Sequence, residues 1–256
     1  MQLIDSHAHL YLPEFDDDRD EVISRALNND VAKMLLPNID AGSVEPMMKL
    51  VNKYPGICYP MIGLHPTSVD ENYREQLATI SNYLKKNKFV AIGEIGIDLY
   101  WDKSYIREQE IVFREQLIIA AEKTLPVVIH SRNSIDEIIN ILDDTGIKNL
   151  RGVFHSFTGS IEQAREIIKR GFFIGAGGIL TFKNSDLDKV IAELDPGNII
   201  LETDSPYLAP VPKRGKRNES SFLKYTAEKL AGIINLSPEE TAIITTSNSI
   251  NLFKLD

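Results

Sequence analysis

Three observations predict an α/β fold for this chain, a single-domain (β/α)8 barrel across residues 1–256. Short runs rich in Val, Ile, Leu and Phe alternate with longer stretches whose apolar residues recur at helical spacing. The alternation gives eight strand–helix units in 256 residues, the dimension of such a barrel. All five histidines fall at, or just past, the C-terminal end of a strand-like run, and in a barrel those ends converge on one face.

In chain order, the strand-like runs are Leu3–Ile4, Lys33–Pro37, Tyr59–Leu64, Phe89–Ile92, Val127–Ile129, Gly152–Phe154, Phe172–Gly175 and Ile199–Leu201. The longest helical stretch runs from Ile106 to Glu122, with Val112, Phe113, Leu117 and Ala120 on one face. Ser134 is placed to cap a helix carrying Ile135, Ile138, Ile139 and Leu142. Ser160 precedes Ala164, Ile167 and Ile168 in the same way, and Gly171 follows as a stop. An open doubly wound sheet uses the same alternation. The glycine-rich phosphate turn such sheets often carry is missing after the first run, which ends Asp5-Ser6-His7. No Pro/Gly/Ser-rich linker or composition shift marks a domain boundary.

Lys and Arg number 28 against 37 Asp and Glu, a formal charge of −9, which excludes a general basic coat for nucleic acid or for an anionic membrane. A local basic patch is compatible with that balance. Cys58 is the only cysteine, so no intramolecular disulfide forms and thiol-rich metal sites are excluded. The opening MQLIDSHAHL lacks the apolar core of a secretory peptide, and the apolar run Leu117–Ala121 is far too short for a membrane span. The expectation is a cytoplasmic protein without membrane attachment, and nothing in the sequence calls for an obligate protein partner.

The histidines are His7, His9, His65, His130 and His155. His7 and His9 lie two apart on one extended segment and so project to the same side, the arrangement of two nitrogen ligands on one ion. A lone HxH pair is weak evidence, because loop histidines produce it too. Glu94 and Asp204 add carboxylates at the ends of the fourth and eighth runs. With His7, His9, His130 and His155 they form a mixed N/O donor set suited to two divalent ions, with Glu94 as a bridge. His65, a single imidazole before Pro66, reads as a hydrogen-bonding contact to substrate or as a structural residue.

A basic run, Lys213-Arg214-Gly215-Lys216-Arg217, follows the eighth strand and would hang over the same face. Two dications set against Glu94 and Asp204 leave a positive centre on an acidic protein, which draws in an anion such as phosphate. Arg132 extends that field. Tyr100, Trp101, Phe157 and Tyr207 lie near the strand ends, where aromatics either stack on bases or pack the barrel rim.

Seven motifs in order then give the chain a resemblance to a known family: Ile4–His9, Gly63–Pro66, Gly93–Asp98, Pro126–Arg132, His155–Gly159, Glu202–Leu208 and Arg214–Glu219. The sequence resembles the TatD-type metal-dependent deoxyribonucleases of the amidohydrolase superfamily nearly end to end. The resemblance implies a TIM barrel with a two-metal centre. It implies His7, His9, Glu94 and Asp204 as ligands of one ion, and Glu94, His130 and His155 as ligands of the other. It implies exonucleolytic cleavage of DNA, single-stranded or at 3′ ends, and often of RNA, with magnesium or manganese; the histidine-rich set would also hold zinc. On this reading Asp204 and Glu94 are catalytic. His65, Arg132, Glu202, Lys213, Arg214, Lys216 and Arg217 stand on the substrate side. Tyr11, Asn133-Ser134 and Ser220 depart from the family pattern without touching a ligand. The same ligands on a superfamily barrel also open small esters, amides and lactones or deacylate a D-aminoacyl-tRNA, and a non-catalytic scaffold would show eroded ligands, which this chain does not.

Overall fold

The computed structural model describes residues 2–255, so the terminal residues 1 and 256 of the expected domain lie outside the described residues. Eight parallel strands follow one another around a single sheet: β1 (Leu3–Asp5), β2 (Val31–Pro37), β3 (Cys58–Ile62), β4 (Ala91–Asp98), β5 (Val127–Arg132), β6 (Gly152–Phe154), β7 (Phe172–Ala176) and β8 (Ile199–Leu201). Each strand hydrogen-bonds only its sequence neighbours, which is the order of a barrel and not of a doubly wound sheet.

The seam between β1 and β8 is joined just past the strand ends. Ser6 donates both its backbone N–H and its hydroxyl to the Leu201 carbonyl, at 3.2 and 2.9 Å. The buried Asp5 carboxylate accepts the Thr203 N–H at 2.9 Å and the Thr203 hydroxyl at 2.6 Å. Ala8 pairs with Ser205, and Asp204 N–H donates to the His7 carbonyl at 2.9 Å. The polar residues of the first and last motifs therefore close the fold as well as carry the site.

The helices are α1 (Arg19–Asn28), α2 (Val44–Lys53), α3 (Tyr73–Lys86), α4 (Ile106–Lys123), α5 (Ile135–Thr145), α6 (Ile161–Lys169), the short α7 (Leu187–Ile191), α8 (Leu223–Ile234) and α9 (Pro238–Phe253). Ser160 caps α6 with a full capping box to Gln163. Ser134 precedes α5 as expected, yet its hydroxyl donates to the Ile97 carbonyl at 2.6 Å and pins the end of β4. None of the described helices is long and apolar enough to cross a membrane.

Two apolar layers hold the barrel. The larger lies between strands and helices. The smaller fills the interior, where Ile4, Leu35, Met61, Ala91, Val128, Val153 and Ile200 point inward and meet Leu252, Phe253 and Leu255 from the end of α9. Because the C-terminal residues share that inner cluster, α9 plugs the barrel on the side away from the histidines.

Two adjacent strands substantially outrun the sequence reading: β4 runs to Asp98 where Ile92 was expected as its end, and β5 to Arg132 where Ile129 was expected. Gly93 and Gly96 interrupt the apolar run. They serve close packing on β5: a Cβ on Gly93 would lie 2.6 Å from that of Val128, and one on Gly96 would meet the His130 carbonyl at 2.0 Å. The β4–β5 register shifts between Ile92 and Ile95, a bulge that holds Glu94 at the mouth of the barrel.

Candidate metal centre

Glu94 lies at the middle of the site, buried among five imidazoles that arrive from four strand ends. Its two oxygens sort the nitrogens into two groups. Oε2 lies 3.1 Å from His7 Nε2 and 3.7 Å from His9 Nε2. Oε1 lies 2.6 Å from His155 Nε2, 2.9 Å from His130 Nδ1 and 3.2 Å from His65 Nε2. Asp204 Oδ1 joins the first group, 3.6 Å from His9 Nε2 and 3.9 Å from His7 Nε2. The donor atoms of His7, His9 and Glu94, of His7, His155 and Asp204, and of His65, Glu94 and His130 lie within 4.8 Å of one another.

The surroundings decide which nitrogen offers a lone pair. Tyr11 Oη donates its only proton to the Pro37 carbonyl at 2.6 Å, so at 3.2 Å from His9 Nδ1 it acts as the acceptor. The His9 proton therefore sits on Nδ1 and the Nε2 lone pair faces Glu94 and Asp204. Asp98 Oδ2 lies 2.8 Å from His130 Nε2 and its Oδ1 accepts the N–H groups of Tyr100 and Trp101 at 2.8 and 2.9 Å. That carboxylate takes the Nε2 proton of His130 and turns its Nδ1 lone pair inward. His65 is arranged the other way. Its Nδ1 accepts the Thr67 N–H at 3.1 Å, so the neutral ring carries its proton on Nε2 and donates to Glu94. His65 is thus a donor beside the cluster, in keeping with a contact to substrate and not with ligation.

Lone pairs aimed at a carboxylate from about 3 Å repel it unless a proton or a cation lies between. Ligand atoms held at about 2.0–2.1 Å by a shared zinc-sized ion stand about 3–3.5 Å apart, close to the spacing of His7, His9 and Glu94 here. The donor set therefore fits divalent ions on both sides of Glu94. Without them, protons do the work. Burial alone would raise Glu94, but His155, His65 and His7 with the His130 hydrogen bond outweigh it and hold the carboxyl well below its usual range. Burial would likewise lower His155, yet Glu94 and Glu202 hold it well above its ordinary value, and Asp98 and Glu94 raise His130 against the same burial. Burial and the neighbouring His155 lower His7.

The remaining residues expected on the substrate side divide. Glu202 is fully buried behind His155, accepts the Ser156 N–H and lies 3.6 Å from His155 Nδ1. It has no route to a substrate and supports a ligand instead. Asp204, two residues on, takes a left-handed backbone (φ +57°) that sends its carboxylate to the mouth. Arg217 is drawn into the barrel wall, donating to the Glu14 carbonyl at 2.6 Å and to Asp18 at 2.7 Å over the Phe15 ring. Its neighbours Asn218 and Glu219 are buried clamps, on the Thr203 and Tyr207 carbonyls and on Arg25. Lys213 lies over Phe222, Arg214 stacks on Phe182 at 3.9 Å, and Lys216 is exposed. Arg132 is exposed and stacks on Tyr100. Sequence reasoning missed Tyr11 and Asp98 as supports. Asp98 carried a signal, since it lies four residues past Glu94 on one extended strand and so on the same face.

Residues 4–254 match the family described as TatD related DNase. The chain is similar to the metal-dependent hydrolase YabD of Bacillus subtilis, 40% identical over 99% of this chain and 100% of that one. It is 31% identical to the human deoxyribonuclease TATDN3 over 98% of this chain and 94% of that protein. The solved structure of the Escherichia coli TatD homologue YjjV superposes with a TM-score of 0.93 at 29% identity, covering 99% of this chain and 98% of that one. With the family matched along nearly its whole length and the ligand set assembled around Glu94, this chain is a metal-dependent hydrolase and belongs to the TatD-related DNase family.

Proposed function

We propose that the chain is a 3′–5′ exodeoxyribonuclease that hydrolyses phosphodiester bonds of DNA, and of RNA, on two divalent ions. The observation that carries this reading is the pairing of a carboxylate with nitrogen donors on both of its oxygens and a mouth lined by unpaired cations. His7, His9, Glu94 and Asp204 would hold one ion, and Glu94, His130 and His155 the other. Bound there, magnesium or manganese supplies an acidified water and charge stabilisation at phosphorus.

The chain's own residues do the rest. Asp204, on the open side of the cluster with 15% of its side chain exposed, is placed to accept the water proton. Its carboxyl is held low because the neighbouring His9, His155 and His7 outweigh burial, so it is an unprotonated base at neutral pH. Arg132 would donate to the scissile phosphate, as would His65 Nε2–H once Glu94, its acceptor here, is engaged by the ions. Lys213, Arg214 and Lys216 hold flanking phosphates without reading sequence. The human relative's name, a deoxyribonuclease, agrees with this substrate class.

The test is a time course on 5′-labelled single-stranded DNA with magnesium, run beside Glu94→Ala protein prepared identically. A ladder shortening from the 3′ end, absent in the variant, is the expected result. No cleavage by metal-loaded protein with magnesium or manganese overturns the proposal and turns the search to esters, lactones and aminoacyl-tRNAs.

A further inference from the structure

Of the four aromatics near the strand ends, Phe157 is buried in the core, while Tyr100, Trp101 and Tyr207 are 51, 65 and 48% exposed. Trp101 is the chain's only tryptophan. A ring so open to water adds little buried area to the fold. Its backbone, however, is fixed. The N–H groups of Tyr100 and Trp101 both donate to Asp98, whose other oxygen orients His130, a donor to the metal centre. Leu99 N–H donates to the Arg132 carbonyl at 3.0 Å, and the Arg132 guanidinium lies 4.5 Å from the Tyr100 ring centroid. Tyr100 in turn packs perpendicular to Trp101, centroids 4.9 Å apart. The Arg132 N–H groups meet no carboxylate among the described residues. A free guanidinium and an open indole face are thus held side by side, two hydrogen bonds from a metal-site imidazole.

We propose that Trp101, Tyr100 and Arg132 form a nucleotide subsite at the mouth, in which an unpaired nucleobase stacks on Trp101 and its phosphate is held by Arg132. This rests on the phosphodiesterase reading and narrows its substrate to single-stranded nucleic acid and frayed ends, because a paired, stacked base offers no free face. Every base has such a face, so the subsite tolerates any sequence. A small ester or lactone has no group for it.

The sole tryptophan reports directly on the subsite. Metal-loaded protein is titrated with phosphorothioate-linked tetradeoxyadenylate, which resists hydrolysis, and with an abasic oligomer of the same backbone. Quenching of Trp101 fluorescence by the first and not by the second is expected. In cleavage assays Trp101→Ala should raise KM for single-stranded DNA about 5- to 150-fold, the equivalent of about 1–3 kcal/mol of base stacking. KM for the abasic oligomer should not move, and Trp101→Phe should restore most of the loss. Equal quenching by both oligomers, no quenching by either, or an unchanged KM in Trp101→Ala overturns the subsite. Base-dependent quenching without cleavage of DNA by the wild type would leave the subsite standing and remove the nuclease reaction.

Discussion

Tyr11 stands where the resembling family often has Asp or Asn, and the structure gives it a defined task. Because its proton goes to the Pro37 carbonyl, it can only accept from His9 Nδ1, and that sets the His9 tautomer. Tyr11→Phe removes the acceptor while keeping the ring in its packed place. Losing a hydrogen bond of this kind behind a metal ligand costs about 10- to 100-fold in affinity. Titration against a chelating competitor should show that loss, confined to one ion if two bind as proposed; unchanged metal affinity would remove Tyr11 from the site. The raised values of His155 and His130 make a second residue-scale prediction. In the metal-free protein both rings keep their extra protons to higher pH than a free imidazole does, and a ligand must give its proton up. Metal binding should therefore release protons, and affinity should climb as pH rises through those elevated values. Calorimetry in two buffers of different ionisation enthalpy measures the release, and a count of zero would contradict the proton-for-metal exchange around Glu94.

At the scale of elements, all eight strands were legible in the sequence because buried parallel strands read as short apolar runs. β4 extends past the apolar run because Gly93 and Gly96 pack closely on β5, which only the position of Val128 and His130 shows. Glu202 was expected on the substrate side and Asp204 at the metal, yet the structure buries Glu202 behind His155. Two residues apart on an extended segment they would share a side, but the left-handed Asp204 backbone separates them, and although Asp tolerates such a φ better than most residues, its presence alone does not require one. Asp5, which joins β1 to the end of β8, yields a prediction about closure. Burial pushes its carboxyl up to about 6 against four opposing hydrogen bonds. The native state then binds more protons than the unfolded chain between roughly pH 4 and 6. Its contribution to stability is fullest below that window and falls as pH rises through it, by about 3 kcal/mol in all, an order-of-magnitude figure. Asp5→Asn should flatten this part of the curve. The difference in denaturant midpoint between the two proteins, followed from pH 4 to 7, checks it; parallel curves would mean that Asp5 is ionised throughout.

The whole molecule divides its labour between the two ends of the barrel. The histidines, acids and exposed cations gather where the strands end, while the interior on the other side is apolar and stoppered by Leu252, Phe253 and Leu255. A barrel built this way should let stability and chemistry be damaged separately. Phe253, 2% exposed and packed on inward residues of the strands, is the larger part of the stopper. Phe253→Ala should cost about 3–5 kcal/mol by leaving a cavity there, read as a lower urea midpoint, yet the folded protein should keep the metal content of the wild type. Glu94→Gln should do the reverse. It keeps the side chain's volume, so the fold persists, but it removes the charge that both nitrogen groups face, so both metals should be lost together. Stability and metal content measured on the two variants would thus move in opposite columns. If Phe253→Ala also emptied the metal sites while still folded, the two ends would be mechanically coupled through the inner cluster, and the barrel wall could no longer be treated as a rigid frame around Glu94.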